Sequence, residues 1–175
     1  MKEIPLTSLL TALRARRALN LLQAFAGGAA GRISRHPLAW GAPFVLSVEP
    51  TNLCDLQCPH CETGAGALTR PSGCIDMGLY RTILELNRDH LLYLLLYDQG
   101  EPLLHPHFPE MVRLAKKQGL CVVSSTNGQR LADKAYAREI AACGLDALII
   151  SADGLTQSTY EVYRRGGSLE KVQSG

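Results

Sequence analysis

An α/β fold built on parallel strands is the class this sequence predicts, as an open sheet or as part of a barrel. Four short apolar runs alternate with segments of helical periodicity at about 26–30 residues per unit, room for a strand, a crossover helix and a loop. The apolar runs are continuous rather than alternating, so both faces of each strand are expected to be buried. Each run is followed by a loop rich in glycine and polar residues. In both architectures such loops gather at the carboxyl ends of the strands, where ligands bind. Composition agrees: 175 residues suffice for one domain, and 46% apolar with 19% charged residues exclude a disordered polymer. The formal net charge of +2 is too small for a nucleic-acid surface, and no nucleic acid is expected as a partner.

Residues 1–42 read as a helical leader and linker, and residues 43–175 as the core domain. The leader holds six Lys/Arg against one acid, Glu3, whereas the rest holds 12 against 15. Residues 18–31 are charge-free and follow Arg14, Arg16 and Arg17, which imitates a signal peptide. Asn20 and Gln23 interrupt that run, its basic region starts late, and it is too short to span a bilayer. The expectation is a helix from Leu6 to Phe25, with Leu6, Leu9, Leu10, Leu13, Leu21, Leu22 and Phe25 on one broad apolar face. It would pack on the domain, on a partner or, as the least expected of the three, on a membrane surface. Gly27, Gly28 and Gly31 are expected to end it, and His36 to Pro43 to form a linker.

The core elements follow in order. Phe44–Glu49 is a strand stopped by Pro50, and a loop of cysteines and glycines runs to about Asp76. Leu79–Asn87 is helical, and Leu91–Tyr97 is a second strand. Phe108–Gln118 is a helix ended by Gly119, and Leu120–Ser125 is a third strand. Leu131–Cys143 is a helix closed by Gly144, Leu145–Ser151 is a fourth strand, and Thr156–Arg164 begins a fourth helix.

Unusual residues gather after the strands. Residues 49–61 read Glu-Pro-Thr-Asn-Leu-Cys-Asp-Leu-Gln-Cys-Pro-His-Cys; Gln99-Gly100-Glu101-Pro102, Thr126-Asn127-Gly128 and Ser151-Ala152-Asp153-Gly154 follow the next three strands. Cys54, Cys58 and Cys61 have the spacing C-x3-C-x2-C. Three thiolates on one short loop can hold three irons of a [4Fe-4S] cube and leave the fourth iron open. A closed zinc site wants four ligands, for which Cys74 is more reachable than His60, the immediate neighbour of Cys61. Clustered thiols in a chain of this size fit a metal site in a reducing cytosol better than a disulfide framework, so a cytoplasmic protein is expected. Cys121 and Cys143 fall in strand and helix patterns and read as small core residues.

The cysteine loop after a first strand, followed by Gly100-Glu101-Pro102 at the next strand end, resembles the radical S-adenosylmethionine (radical SAM) superfamily. The flanking residues 49–61 are most similar to members with a SPASM or related C-terminal extension. The resemblance covers about residues 44–172. It implies a partial (βα) barrel, about four βα units of a six-unit core. It also implies an enzyme in which a [4Fe-4S] cluster and SAM generate a 5′-deoxyadenosyl radical that abstracts a substrate hydrogen. Cys54, Cys58 and Cys61 would ligate the cluster, and His60 would meet the adenine. Gly100, Glu101 and Pro102 would meet the methionine ammonium; Gln99 stands where the family usually has glycine. Asn127, Ser151, Asp153 and Arg164 would contact the rest of SAM, Arg164 through its carboxylate. A low-potential donor of flavodoxin or ferredoxin type would supply the electron; the substrate is unspecified, with a peptide as one class. Against the family pattern the chain stops inside its fourth helical unit, which reads as a truncated core. The alternatives are an iron–sulfur or zinc-binding module without SAM chemistry, or an inactive fragment.

Overall fold

The computed structural model describes residues 6–175. Its centre is one sheet of four parallel strands, β1 (Val45–Ser47), β2 (Tyr93–Leu95), β3 (Cys121–Thr126) and β4 (Ala147–Ile150), in the order β1-β2-β3-β4. Ser47, Leu95, Val123 and Ala147 form one row across it. Each crossover adds the next strand on the same side, so right-handed connections put the connecting helices on one face. This is the winding of a barrel segment, and it selects between the two architectures the pattern allowed.

The connecting helices α3 (Met77–Asn87), α4 (Phe108–Lys117) and α5 (Lys134–Ala142) bury their apolar stripes against that face. Tyr80 and Leu84 from α3, Met111, Val112 and Ala115 from α4, and Ile140 from α5 meet Leu94, Leu96 and Val122 in one core. Asp76 caps α3 by accepting from the Leu79 N–H at 3.0 Å, so the helix starts two residues before the expected Leu79. The expected helix Leu131–Cys143 is split: Gln129–Ala132 is a 3-10 turn, and Asp133 then caps α5 through the N–H groups of Ala135 and Tyr136. Two short helices close the chain, α6 (Gln157–Tyr163) and α7 (Leu169–Ser174), the second opened by Ser168 accepting from the Lys171 N–H.

The expectation that the strands are buried on both faces is corrected. Only β3 is buried along nearly its whole length; Val45 in β1 and Ile149 and Ile150 in β4 are exposed. Side chains alternate across a strand, so Val45, Tyr93, Leu95, Val123 and Ile149 point away from the helices. With Leu9, Leu10, Leu13, Leu21 and Phe25 of the leader they line an apolar cleft of about 790 Å³.

The leader also departs from expectation. It is two helices, α1 (Leu6–Ala12) and α2 (Ala15–Ser34), separated at Leu13–Arg14, where Arg14 is extended. α2 runs through Gly27, Gly28 and Gly31 instead of ending there. The linker turns at Arg35 and folds back along this helix: a Cβ on Gly27 would lie 2.9 Å from the Trp40 nitrogen, and one on Gly31 2.9 Å from the His36 oxygen. These two glycines serve close approach of two backbones, which outweighs their low helix propensity. Asn20 fixes the return by donating to the Ala42 carbonyl at 3.0 Å and accepting from its N–H at 2.7 Å.

Arg17 docks the leader to the core. Its guanidinium is buried and donates to the carbonyls of Ala12, Arg88, Gln118 and Gly119 at 2.8–3.1 Å. These carbonyls end α1, α3 and α4, whose C-terminal dipoles favour a cation. Burial pulls the Arg17 pKa below its ordinary value, yet guanidinium remains charged at neutral pH. The leader therefore occupies the sheet end opposite the loops that follow the strands.

Candidate functional site

The four loops after the strands meet around a cleft of about 180 Å³, lined by residues of all four, including Cys54, Cys58, Cys61, Gly100, Glu101, Pro102, Asn127 and Ser151, and by Arg164 at the end of α6. His60 and Asp153 stand at its edge. The His60 ring stacks on Tyr163, with centroids 6.2 Å apart, and Asp153 accepts from the Arg164 Nε at 2.6 Å.

The cysteine loop is held at its base by its own return. Thr51 pairs antiparallel with Cys74, and the Ile75 N–H donates to the Pro50 carbonyl at 2.8 Å. The Asn52 side chain donates to the Pro71 carbonyl at 2.9 Å and accepts from the Gly73 N–H at 2.7 Å. Arg70 grips both oxygens of Glu49 at 2.6 Å, and Glu49 also accepts from the Gln99 N–H at 3.2 Å. Cys74 is exposed and outside the cleft lining. Among the described residues no three His, Cys, Asp or Glu side chains converge on one ion.

Each thiol instead faces a different loop. The Gln99 Oε1 lies 3.8 Å from the Cys61 Sγ, the Asn127 Nδ2 3.9 Å from the Cys54 Sγ, and the Arg164 Nη1 3.9 Å from the Cys58 Sγ. Asn127 also donates to Asp55 at 2.7 Å, and the Leu56 N–H points to the Cys54 sulfur at 3.4 Å. Burial pushes the Cys54 thiol up to about 11, so metal binding at neutral pH has to release its proton. All three thiols are free. Three thiols on one loop are a donor set that a cube can use, each thiolate on its own iron.

Glu101 has a structural task. Its buried carboxylate accepts from the Leu103 N–H at 3.1 Å, the Thr126 hydroxyl at 2.7 Å and the Asn127 N–H at 2.7 Å, and its own N–H donates to the Leu53 carbonyl at 2.7 Å. Burial raises its pKa, and the three donors pull the other way. Glu101 thus stitches the first, second and third loops together. Gly100 lies directly under the cysteine loop at φ +75°, and a Cβ there would come within 2.4 Å of the Thr51 carbonyl oxygen. Only glycine fits this contact.

Three participants were not assigned from sequence. Gln99 was visible only as a departure from the family pattern. Thr126 stood in the third-loop motif without a role, because its importance comes from facing Glu101. Tyr163 was given no role in the site, yet it lines the cleft and stacks on His60 and, at 5.3 Å, under the Arg164 guanidinium.

The family model for the radical SAM superfamily matches residues 48–175. GTP 3′,8-cyclase of Peptoclostridium acidaminophilum is 36% identical over 138 residues, covering 74% of this chain and 40% of that protein. Mycofactocin maturase MftC of Mycobacterium ulcerans (strain Agy99) is 34% identical over 129 residues, covering 73% of this chain and 34% of that protein. The chain therefore spans 40% or less of these curated relatives. SuiB of Streptococcus suis, solved bound to S-adenosylmethionine, shares the fold with a TM-score of 0.59 and 18% identity over 82% of this chain and 32% of its own. SuiB bound to precursor peptide SuiA gives the same TM-score, 0.59. The cysteine loop, the winding of the sheet and a match that begins directly after β1 and runs through α7 lead to one assignment: this chain belongs to the radical SAM superfamily.

Proposed function

We propose that this chain carries the cofactor-binding half of a radical SAM enzyme, with Cys54, Cys58 and Cys61 as ligands of a [4Fe-4S] cluster and SAM bound in the adjoining cleft. One observation carries the reading. Three free thiols on one loop face three different neighbouring loops across a single cleft at the strand carboxyl ends. When bound, the cluster supplies an open iron for SAM and the electron for its reductive cleavage, which yields the radical that takes a substrate hydrogen.

The residues divide the remaining work. The thiols give up their protons on ligation, and the amide of Asn127 and the guanidinium of Arg164 then donate to thiolate sulfur and offset its charge. The Gln99 amide can do the same for Cys61 after rotating to present its nitrogen. Gly100 permits the second loop to lie against the first, and the backbone from Gly100 to Pro102 complements the methionine ammonium. Arg164 is held by Asp153 in the structure, so it meets the SAM carboxylate by exchanging one carboxylate for another. Ser151 and the released Asp153 are then positioned for the ribose, and His60 with Tyr163 offers a flat surface for adenine. A flavodoxin- or ferredoxin-type protein supplies the electron. Peptides are the substrate class to test first, because SuiB, which shares the fold, is known bound to a precursor peptide.

Anaerobic reconstitution followed by iron, sulfide and zinc analysis tests the cluster assignment. About four irons and four sulfides per chain, lost in Cys58→Ala and retained in Cys74→Ala, are expected. One zinc per chain and no iron would reject it.

A further inference from the structure

The leader helix α2 has two faces with different surroundings. Arg17, Asn20 and Gly27 are buried against the core and the returning linker. On the opposite side Ala15, Leu19, Leu22, Ala26, Ala29 and Ile33 follow one another at alternating steps of four and three residues, which lines them up along the whole helix. All six are exposed, Leu22 at 68% and Ile33 at 86%. From sequence Leu9, Leu13, Leu21 and Leu22 read as members of one apolar face, and Leu19 is not on it. The structure separates Leu9, Leu13 and Leu21, which line the apolar cleft, from Leu19 and Leu22, which face outward.

Charge decides what such a stripe fits. Between Glu3 and Glu49 the sequence has no acid and five arginines. Arg14, Arg32 and Arg35 are exposed and, among the described residues, have no carboxylate partner. Trp40, 56% exposed, lies on the linker against α2. The residues flanking the stripe are Arg16, Gln23 and Ala30 on one side and Ala18, Phe25 and Arg32 on the other. A second copy packed on this stripe would bring arginine to arginine with no acid on the helix to pair; among the described residues Arg16 alone of these arginines has a carboxylate, Asp89 of its own core, at 2.7 Å. An anionic lipid surface supplies both missing partners, phosphate for the arginines and an acyl boundary for Leu19, Leu22 and Ile33. Tryptophan favours that same boundary. Among the described residues no helix is long and apolar enough to cross a membrane, so the helix would lie along the surface.

We propose that the outer face of α2 binds an anionic lipid bilayer in the plane of its interface, with Leu19, Leu22 and Ile33 inserted and Arg32 and Arg35 at the phosphates. This rests on the leader alone and is independent of the cofactor assignment.

The test is co-sedimentation of the full chain with vesicles of phosphatidylcholine, with and without phosphatidylglycerol. Binding is expected only to the anionic vesicles, and high salt should release it. Arg32→Gln/Arg35→Gln should weaken it roughly 25-fold, about fivefold for each charge. Leu22→Glu/Ile33→Glu should abolish it while the thermal unfolding midpoint stays unchanged, because both side chains are exposed. Absence of binding to anionic vesicles, or binding indifferent to Leu22→Glu/Ile33→Glu, would overturn the proposal. So would a dimer in solution that the same double substitution dissolves, which would assign the stripe to a second copy.

Discussion

Replacing Gly100 by alanine probes the contact on which the site is built. The added Cβ would stand 2.4 Å from the Thr51 carbonyl oxygen, 2.7 Å from the Asn52 Cα and 2.7 Å from the Leu53 carbonyl oxygen. These are backbone atoms pinned by the hydrogen bonds of Thr51 and Asn52 to Gly73, so no rotamer change relieves the overlap. The positive φ of +75° costs a side-chain-bearing residue about 1–2 kcal/mol. Overpacking adds about 1–3 kcal/mol, and displacing the loop stretches the hydrogen bond from Glu101 N–H to Leu53, worth about 1 kcal/mol. The total is about 3–6 kcal/mol, and at about 2–4 °C per kcal/mol for a chain of this size the melting midpoint should fall by roughly 6–24 °C. Gly66 is the matched control. Its φ is +68° and a Cβ there meets nothing within 4 Å, so Gly66→Ala carries only the backbone cost of about 1–2 kcal/mol. Circular dichroism melting of both variants isolates the clash as their difference, about 2–4 kcal/mol. Equal melting points for Gly100→Ala and Gly66→Ala would refute the argument that loop-on-loop contact requires glycine here.

Other outcomes follow from the same structure. Arg17→Leu leaves four carbonyls at the ends of three helices without their donor and should cost about 3–5 kcal/mol, read by urea unfolding. The variant should also free the leader for proteolysis near Gly27, whereas the parent chain stays protected. Glu101→Gln turns an amide nitrogen toward a backbone donor and should cost about 1–3 kcal/mol. Because burial raises the Glu101 pKa in the folded chain, its contribution is fully present below the unfolded carboxyl pKa and is lost as pH rises through the folded value. Stability should therefore decline over that window in the parent chain and be flatter in Glu101→Gln, measured by unfolding at a series of pH values. Arg164→Lys keeps the charge but loses the planar fork and should weaken SAM binding roughly 10- to 100-fold, by equilibrium dialysis of the reconstituted chain. Gln99→Ala should shift the reduction potential of that chain if its amide reaches Cys61; an unchanged potential would remove Gln99 from the site.

The parts legible in the sequence were those governed by local pattern. Each strand announces itself by an apolar run, and Gly119 and Gly144, both at positive φ, mark the ends of α4 and α5. The convergence of Cys54, Gly100, Asn127 and Ser151 follows from parallel winding, which brings every strand's carboxyl end to one side. What escaped depended on partners distant in sequence. Gly27 and Gly31 look like helix terminators until the linker is seen lying against them. The open face of β1 and β4 is invisible in runs such as Leu-Ile-Ile, whose composition is the same whether one face or two is covered. Glu101 reads as a ligand for an ammonium, yet its oxygens are taken by Leu103, Thr126 and Asn127. Hydrophobic pattern states that a leader leucine is apolar, not which neighbour lies beneath it, and so α2's outward stripe appeared only once Arg17 and Asn20 fixed the helix rotation.

The central claim is that the cysteine cleft holds a cluster with one iron open to SAM. The most direct measurement is electron paramagnetic resonance of the anaerobically reconstituted, reduced chain with and without SAM. The account predicts a [4Fe-4S]⁺ signal that changes on adding SAM and is missing in Cys58→Ala. A stable cluster signal indifferent to SAM would contradict it.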